Sequence, residues 1–387
     1  MKIAFVTYYK SENLKDWHSR LYRIVKTLEN LGHEVVFIDD LRSPIQYAYK
    51  IRSLYYRLKK KNYHRMREPW FAKSMGPLIN KYLKQLKPDL IVTPGSLEAS
   101  YIKTDVPVII WTDAIFSGLL NYYETYMDLP AHNTKNGHKL EKRGLEKADF
   151  LIVPSKWAFD NAASDYGIDT EKISIIEFGS GVDHKYNEED IFGIIKKKNF
   201  DNYKILFVGK KFYDKGCDLT FKALKELNEE GFPVEYKIAG LKEDEIPFES
   251  EFLKTYGYLR KSDFEESKQL EKLFKESHFF VMPSRAEAFG IAFIEANSFG
   301  LPVIGSKSGG MTTLIEEGKN GFTVNPDNAV EEIKRILKIY YKNREEYNKL
   351  SINSFIEYRD RLNWKTAGDK FSKLINEMKI KKGLTNK

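Results

Sequence analysis

The hydrophobic positions of this chain fall into short runs separated by longer stretches where they recur at helical spacing. The run at 2–7, with Ile3, Phe5 and Val6, predicts a strand. Over 14–31, Leu21, Ile24, Val25 and Leu28 sit at i, i+3, i+4 and i+7, which predicts an amphipathic helix. Gly32 stands where a left-handed cap would stop it. Strands are predicted again at 35–38, 90–92, 106–111 and 150–153, with a helix at 78–86 and another closing on Leu145 and Ala148. Pro154-Ser155 begins a further helical stretch. Alternation of this kind predicts a parallel, doubly wound sheet covered by helices.

The pattern then restarts. Strand 173–176 is followed by a polar, glycine-containing stretch at 178–202. A second series follows: strand 205–208, helix 218–229, strand 234–239, helix 262–276, strand 279–282, helix 290–299 and strand 302–304. From 329 to 380 the pattern is helical with no strand inside. The expected fold class is α/β, with two Rossmann-like halves joined near 180–200. A length of 387 residues agrees with two domains at roughly 100–200 residues each.

Composition excludes several classes. The single cysteine, Cys217, forms no internal disulfide and no multi-cysteine zinc site, and argues for a reducing compartment. No run approaches the ~18 apolar residues that span a bilayer. The opening run is too short for a signal peptide. A cytoplasmic location is therefore expected. None of the seven histidines pairs at a metal-ligand spacing on one helix, so no metal is expected, and no G-x-G-x-x-G follows a strand to hold a nicotinamide cofactor.

The net charge of +8 is local. Between 45 and 71 lie Lys50, Arg52, Arg57, Lys59, Lys60, Lys61, Arg65 and Arg67. Against the single acid Glu68 these eight make +7, leaving +1 for the rest of the chain. Ile51, Leu54, Tyr55 and Leu58 fall at i, i+3, i+4 and i+7 within the same segment. A basic amphipathic helix with aromatics suits an anionic membrane surface, an anionic acceptor or nucleic acid. It equally suits a domain helix that buries one stripe and shows a charged back. Because the basicity is a patch rather than chain-wide, nucleic acid is the less favoured partner.

Open parallel sheets bind ligands beyond the carboxyl ends of their strands, so the loops after Val208, Ala239 and Met282 are where chemistry is expected. The stretch 283–310 reads PSRAEAFGIAFIEANSFGLPVIGSKSGG. Glu287 lies in the loop and Glu295 inside the next helix. Phe289-Gly290-Ile291 would form that helix's first turn, whose N–H groups are open to phosphate or hydroxyl oxygens. Two carboxylates so spaced suit the hydroxyls of a polyol. Either glutamate alone reads as a solvated carboxylate. After strand 205–208 come Lys210, Lys211 and Lys215, cations that suit a departing pyrophosphate.

These strings resemble the donor-binding motif of glycosyltransferase family 4, retaining, nucleotide-sugar-dependent enzymes of GT-B architecture. Glu287 and Glu295 stand at the two Glu positions of that family's E-x7-E motif. The likeness continues in Gly300-Leu301-Pro302-Val303-Ile304, Ser308-Gly309-Gly310 and Gly318…Asn320-Gly321-Phe322…Pro326. Lys210 takes the family's Arg position and Lys215 its Lys position, with Lys211 as an alternative to Lys210. Thr313 stands where the family often has Glu. The stretch 8–20 lacks the usual glycine-rich loop and carries Asp16-Trp17-His18-Ser19-Arg20 instead. Trp17 reads as core or acceptor contact. Asp113, in Trp111-Thr112-Asp113-Ala114, falls about where many members have His near the reacting centre; it reads as catalytic or as a helix cap. Glu141…Ala148-Asp149…Pro154-Ser155…Trp157 also follows the family's order.

The resemblance implies two Rossmann-like domains facing across a cleft, with C-terminal helices crossing back to the first. Residues 1–180 would form the acceptor-binding domain, 181–203 a linker, 204–362 the nucleotide-sugar domain and 363–387 the returning helix. It implies a sugar moved from a nucleotide-sugar to an acceptor hydroxyl with retention, the donor being a substrate and no metal required. Asp113, Lys215 and Glu287 would be catalytic. Lys210, Lys215, Glu287, Phe289, Gly290, Ile291 and Glu295 would hold the donor. Trp17, Arg52, Arg57, Lys59, Lys60 and Lys61 would face a glycan, lipid-linked or protein acceptor, or the inner face of a membrane. Two readings compete: a nucleotide-sugar epimerase of similar architecture, and a non-enzymatic RNA- or membrane-binding protein that uses 45–71.

Overall fold

The structure, a computed structural model, describes residues 1–13, 19–42, 44–182 and 185–381. Trp17 lies outside the described residues. The chain divides into two compact units, Met1–Glu177 with Ala367–Lys387, and Phe178–Thr366.

The first unit is built on six parallel strands: β1 (Lys2–Val6), β2 (Glu34–Ile38), β3 (Leu90–Thr93), β4 (Val108–Trp111), β5 (Phe150–Val153) and β6 (Ile173–Ile175). Their order is β2-β1-β3-β4-β5-β6. Ile3, Ala4 and Phe5 of β1 pair with Leu90, Ile91 and Val92 of β3. All four residues of β3 and of β4 are buried, as a sheet covered on both faces requires. The covering helices are α1 (Ser19–Asn30), α2 (Ile45–Leu58), α3 (Pro69–Leu86) and α4 (Ala131–Lys147). Phe71, Ala72, Met75 and Ile79 of α3 join Ala4, Val6 and Ile91 in the core. Pro69 sits in the first turn of α3, where its missing N–H costs nothing.

The second unit repeats the theme. It contains α5 (Glu188–Lys196), β7 (Tyr203–Val208), α6 (Cys217–Glu229), β8 (Val234–Ala239), β9 (Leu253–Thr255), α7 (Phe264–Glu276) and β10 (Phe279–Met282). Beyond these lie α8 (Ile291–Ser298), β11 (Val303–Ser306), β12 (Gly321–Val324), α9 (Ala329–Lys342) and α10 (Arg344–Asp360). The parallel strands run β12-β11-β10-β7-β8-β9, the dinucleotide-fold order. The two edge strands, β9 and β12, lack the apolar runs that mark the inner strands. A residue sequence of Leu-Lys-Thr in β9, with no position fully buried, gives periodicity nothing to register.

Helix α5 lies in the polar stretch before β7. Asn187 accepts from the Asp190 N–H at 2.9 Å, and Asp190 accepts from the Asn187 N–H at 3.1 Å. This reciprocal capping box starts the helix, and Ile191 and Ile195 bury it within the second unit. The part of the expected linker from Asn187 to Lys196 is therefore a capped helix of that unit.

The last helix, α11 (Trp364–Lys381), begins in the second unit and from Ala367 belongs to the first. Trp364 donates its Nε1–H to the Ser180 carbonyl at 2.8 Å. Further along, Phe371 is fully buried and stacks on Trp111 of β4, with centroids 5.4 Å apart and 10° between planes. Truncating Phe371 to Ala removes that packing. We expect a loss of about 3–5 kcal/mol in urea-induced unfolding of the first unit. A change under about 1 kcal/mol would mean that α11 does not hold the sheet.

Candidate active site

In the second sheet the strand order reverses between β7 and β10. The loops leaving these two strands diverge there, and their carboxyl ends frame a crevice. The loop after β7 turns through Lys211–Gly216 into α6. Gly216 has φ +68°, and a Cβ there would come 2.2 Å from the Pro283 carbonyl oxygen. Only glycine lets this loop lie against the loop after β10. Arg285 fastens the two further. Its guanidinium donates to both carboxylate oxygens of Asp218, at 2.8 and 2.7 Å, and its backbone N–H donates to the Asp214 carbonyl at 2.8 Å.

This contact brings Lys215 to Glu287. The ammonium lies 2.8 Å from Oε2 of Glu287 and 3.4 Å from the Ala286 carbonyl oxygen. Both side chains are largely buried, at 21% and 12% exposure. Lys210 goes elsewhere. It is exposed, donates to the Tyr258 hydroxyl at 3.1 Å and sits 4.2 Å from that ring's centroid. Lys211 pairs with Asp214 at 2.7 Å.

Gly290, at φ +78°, precedes α8, and a Cβ there would press to 2.7 Å from the Phe293 ring. Phe289 is buried against Phe178 with centroids 5.5 Å apart, while Ile291 is half-buried at the start of α8. One turn into α8, Glu295 is completely buried. Its Oε1 pairs with Lys261, from the loop after edge strand β9. Its Oε2 is buried with no hydrogen-bond partner among the described residues. Gly181 closes over this carboxylate, since a Cβ there would approach Oε1 to 2.5 Å. An unsatisfied buried carboxylate oxygen costs free energy unless a ligand hydroxyl completes it.

The first unit carries its own cleft, about 350 Å³, at the carboxyl ends of β1, β3 and β4. Tyr9, Arg20, Arg67, Glu98, Asp113 and Glu141 are among its walls. Arg20 of α1 forms an ion pair with Asp113. Burial opposes the charge on Asp113, but Arg20 and nearby backbone N–H groups outweigh it, so its carboxyl is held below the usual range. The helix-cap alternative for Asp113 does not hold. The short helix Phe116–Leu119 receives no side-chain cap from it, and the Phe116 N–H donates instead to Oε1 of Glu141 at 3.1 Å. Glu141, on α4, also accepts from Ser96 and from Arg67, each at 2.5 Å. One carboxylate thereby bolts the loops after β3 and β4 to Arg67. Arg67 and Glu68, counted above in the basic segment, thus point inward: Glu68 accepts from Asn133 at 3.0 Å and Asn136 at 2.7 Å.

Sequence reasoning missed Lys261, Glu98 and the pairing role of Arg20. Lys261 follows a strand that periodicity does not reveal. Cys217 is fully buried, 3.3 Å from the Tyr236 hydroxyl, and burial pushes its thiol up to about 12. Among the described residues no group of three or more His, Cys, Asp or Glu could hold a metal ion.

Two family models match the chain: Glycosyltransferase Family 4 over 19–184 and Glycosyl transferases group 1 over 189–355. The chain belongs to glycosyltransferase family 4. This is an enzyme family, and its GT-B architecture is the one observed. An uncharacterized glycosyltransferase of Methanocaldococcus jannaschii is 25% identical to this family 4 chain over 250 residues, 64% of each. An uncharacterized 41.2 kDa protein from the cps region of Klebsiella pneumoniae is 27% identical over 197 residues, 49% of this chain and 51% of that protein. A sucrose synthase of Denitrovibrio acetiphilus is 39% identical over 88 residues, 22% of this chain and 11% of its own. The chain thus spans between about a tenth and two thirds of these relatives' length. A glycosyltransferase from Rickettsia africae has the same fold, with a TM-score of 0.66 at 17% identity over 100% of this chain and 99% of that one. The Anabaena protein Alr3699/HepE in complex with UDP-glucose gives a TM-score of 0.61 at 16% identity, over 97% of this chain and 100% of that one.

The first cleft generates a pH prediction. Glu98 is 3% exposed and accepts from the Tyr8 N–H at 3.0 Å. Burial dominates and pushes its carboxyl from the ordinary 4.5 up to about 7. Below pH 4.5 both folded and unfolded chains hold this proton. As pH rises towards 7 the unfolded chain releases it first, so stability falls and the loss is complete above about 7. Glu98→Gln keeps an acceptor for Tyr8 and removes the titration. The variant should exceed the parent in stability at pH 8 by up to about 3 kcal/mol, with the difference vanishing near pH 4.5. Thermal unfolding at the two pH values reads this, and an equal difference at both would contradict it.

Proposed function

We propose that the chain moves a sugar from a nucleotide-sugar donor to an acceptor hydroxyl, with retention of anomeric configuration. The second unit binds the donor. The observation that carries the proposal is Glu295: completely buried, one oxygen paired with Lys261 and the other without a partner among the described residues. A ribose hydroxyl would supply the missing donor to Oε2. The ammonium of Lys215, at the switch point, would take the charge that develops on the departing diphosphate. In doing so it would release Glu287 to accept from the sugar hydroxyls. The first turn of α8, opened by Gly290 between Phe289 and Ile291, would offer N–H groups to the diphosphate or the sugar. Lys210, resting on Tyr258, would act at the rim. A uridine nucleotide is the first donor to test, since the Anabaena neighbour is known with UDP-glucose.

The first unit's cleft would take the acceptor, a glycan, lipid-linked or protein hydroxyl. Asp113, held ionised by Arg20, is a weak base. It would orient an acceptor hydroxyl by accepting its hydrogen bond rather than by removing its proton outright. The donor and the diphosphate chemistry call for no metal and no resident cofactor.

Calorimetry with UDP, GDP, ADP and their glucose conjugates tests the donor site. One nucleoside diphosphate should bind, and Glu295→Ala should weaken it at least about tenfold. Lys215→Ala should weaken the diphosphate but leave the free nucleoside unchanged. If no nucleotide binds, or Glu295→Ala changes nothing, the donor assignment fails. Turnover of UDP-N-acetylglucosamine without an acceptor would instead identify an epimerase, and NMR of the product anomer decides retention.

A further inference from the structure

Helix α2 packs in the opposite sense to its apolar pattern. The stripe that a domain helix would bury is exposed: Ile51 at 73%, Leu54 at 55%, Tyr55 at 48% and Leu58 at 78%, with Tyr47 at 60%. The side turned to the protein carries Gln46, Tyr49, Ser53 and Tyr56. Gln46 is buried and donates to the Leu41 carbonyl at 2.9 Å, and the Ser53 hydroxyl donates to the Tyr49 carbonyl at 2.8 Å. The aliphatic side chains of α2 therefore serve something other than this unit's core.

At about 100° per residue, Tyr47, Ile51, Leu54, Tyr55 and Leu58 occupy an arc of about 100°. Lys50 and Arg57 flank one side of that arc, and Arg52 and Lys59 the other. Lys60 and Lys61 continue beyond the helix end. Helix α2 contains no acid. Two of the flanking cations lie over stripe aromatics: Lys50 sits 4.8 Å from the Tyr47 centroid and Lys59 4.6 Å from Tyr55. Long cationic side chains on both shoulders of an apolar stripe suit a helix lying in an interface, stems along the apolar phase and heads among anionic groups.

We propose that α2 docks this unit onto an anionic lipid bilayer, its apolar stripe entering the acyl boundary and its cations meeting lipid phosphates. Charge complementarity selects this occupant. A second copy of the chain would bring the same cations against themselves, whereas a bilayer offers apolar depth and negative charge together. The docking is independent of the donor site.

Flotation of the full chain with vesicles separates the possibilities. The protein should bind vesicles of phosphatidylcholine with phosphatidylglycerol and bind phosphatidylcholine alone at least about tenfold more weakly. Ile51→Ser with Leu54→Ser and Leu58→Ser should lower the partition coefficient at least about tenfold. Lys59→Glu with Lys60→Glu and Lys61→Glu should do the same, while Lys225→Glu, on α6, should not. These positions are exposed, so circular dichroism and the thermal midpoint of each variant should match the parent. No binding to phosphatidylglycerol vesicles would overturn the proposal. So would binding insensitive to the serine variant, a dimer in sedimentation that this variant abolishes, or single-stranded RNA binding tighter than vesicle binding.

Discussion

A parallel sheet whose strand order reverses must part its loops at the point of reversal, and both units obey this constraint. In the second sheet β7 leads to one side and β10 to the other. The crevice between their carboxyl ends is a geometric by-product of the winding. What the sequence adds is closure of that crevice to the width of an ion pair. Gly216 lets the two loops touch, Arg285 clamps them through Asp218, and Lys215 and Glu287 meet at 2.8 Å. In the first sheet the reversal lies between β1 and β3, and its cleft opens there.

Three buried glutamates meet the same desolvation penalty in three ways. Glu141 is saturated, its two oxygens shared among Phe116, Ser96 and Arg67. Glu98 has too few donors and keeps its proton to near neutral pH. Glu295 has a cation on one oxygen and nothing on the other among the described residues. Burying a charge is tolerated when its hydrogen bonds are complete. The incomplete one is where an exogenous hydroxyl has most to offer. The saturated one holds loops in place, and the protonated one adds no charge to the cleft it lines at acidic pH.

Much of the fold was legible in the sequence because its inner strands are buried on both faces and read as continuous apolar runs. The edges were not. β9 is three residues long and half exposed, so it leaves no periodicity, and the loop that carries Lys261 was therefore not placed beside Glu295. The polar stretch before β7 concealed α5, although its Asn187…Asp190 box stands in the sequence. Glu287 and Lys215 were found from motif and loop position. Their direct pairing depends on Gly216 and Pro283, a tertiary contact that no local pattern encodes. Lys210 shares the motif but rests on Tyr258, because spacing along a loop does not fix which way a flexible side chain turns. The apolar stripe of α2 was visible, but which side it faced depends on what the rest of the unit leaves uncovered.

The lone cysteine has a practical corollary. Cys217 is sealed beneath the start of α6, and burial keeps it a thiol far above neutral pH. Thiol-directed reagents act through the thiolate, so the folded chain is effectively silent to maleimide. A cysteine introduced on the surface, for example at Arg57 or Lys225, would then be the sole reactive handle. Fluorophores or spin labels could be placed one at a time without first removing a native thiol from the core.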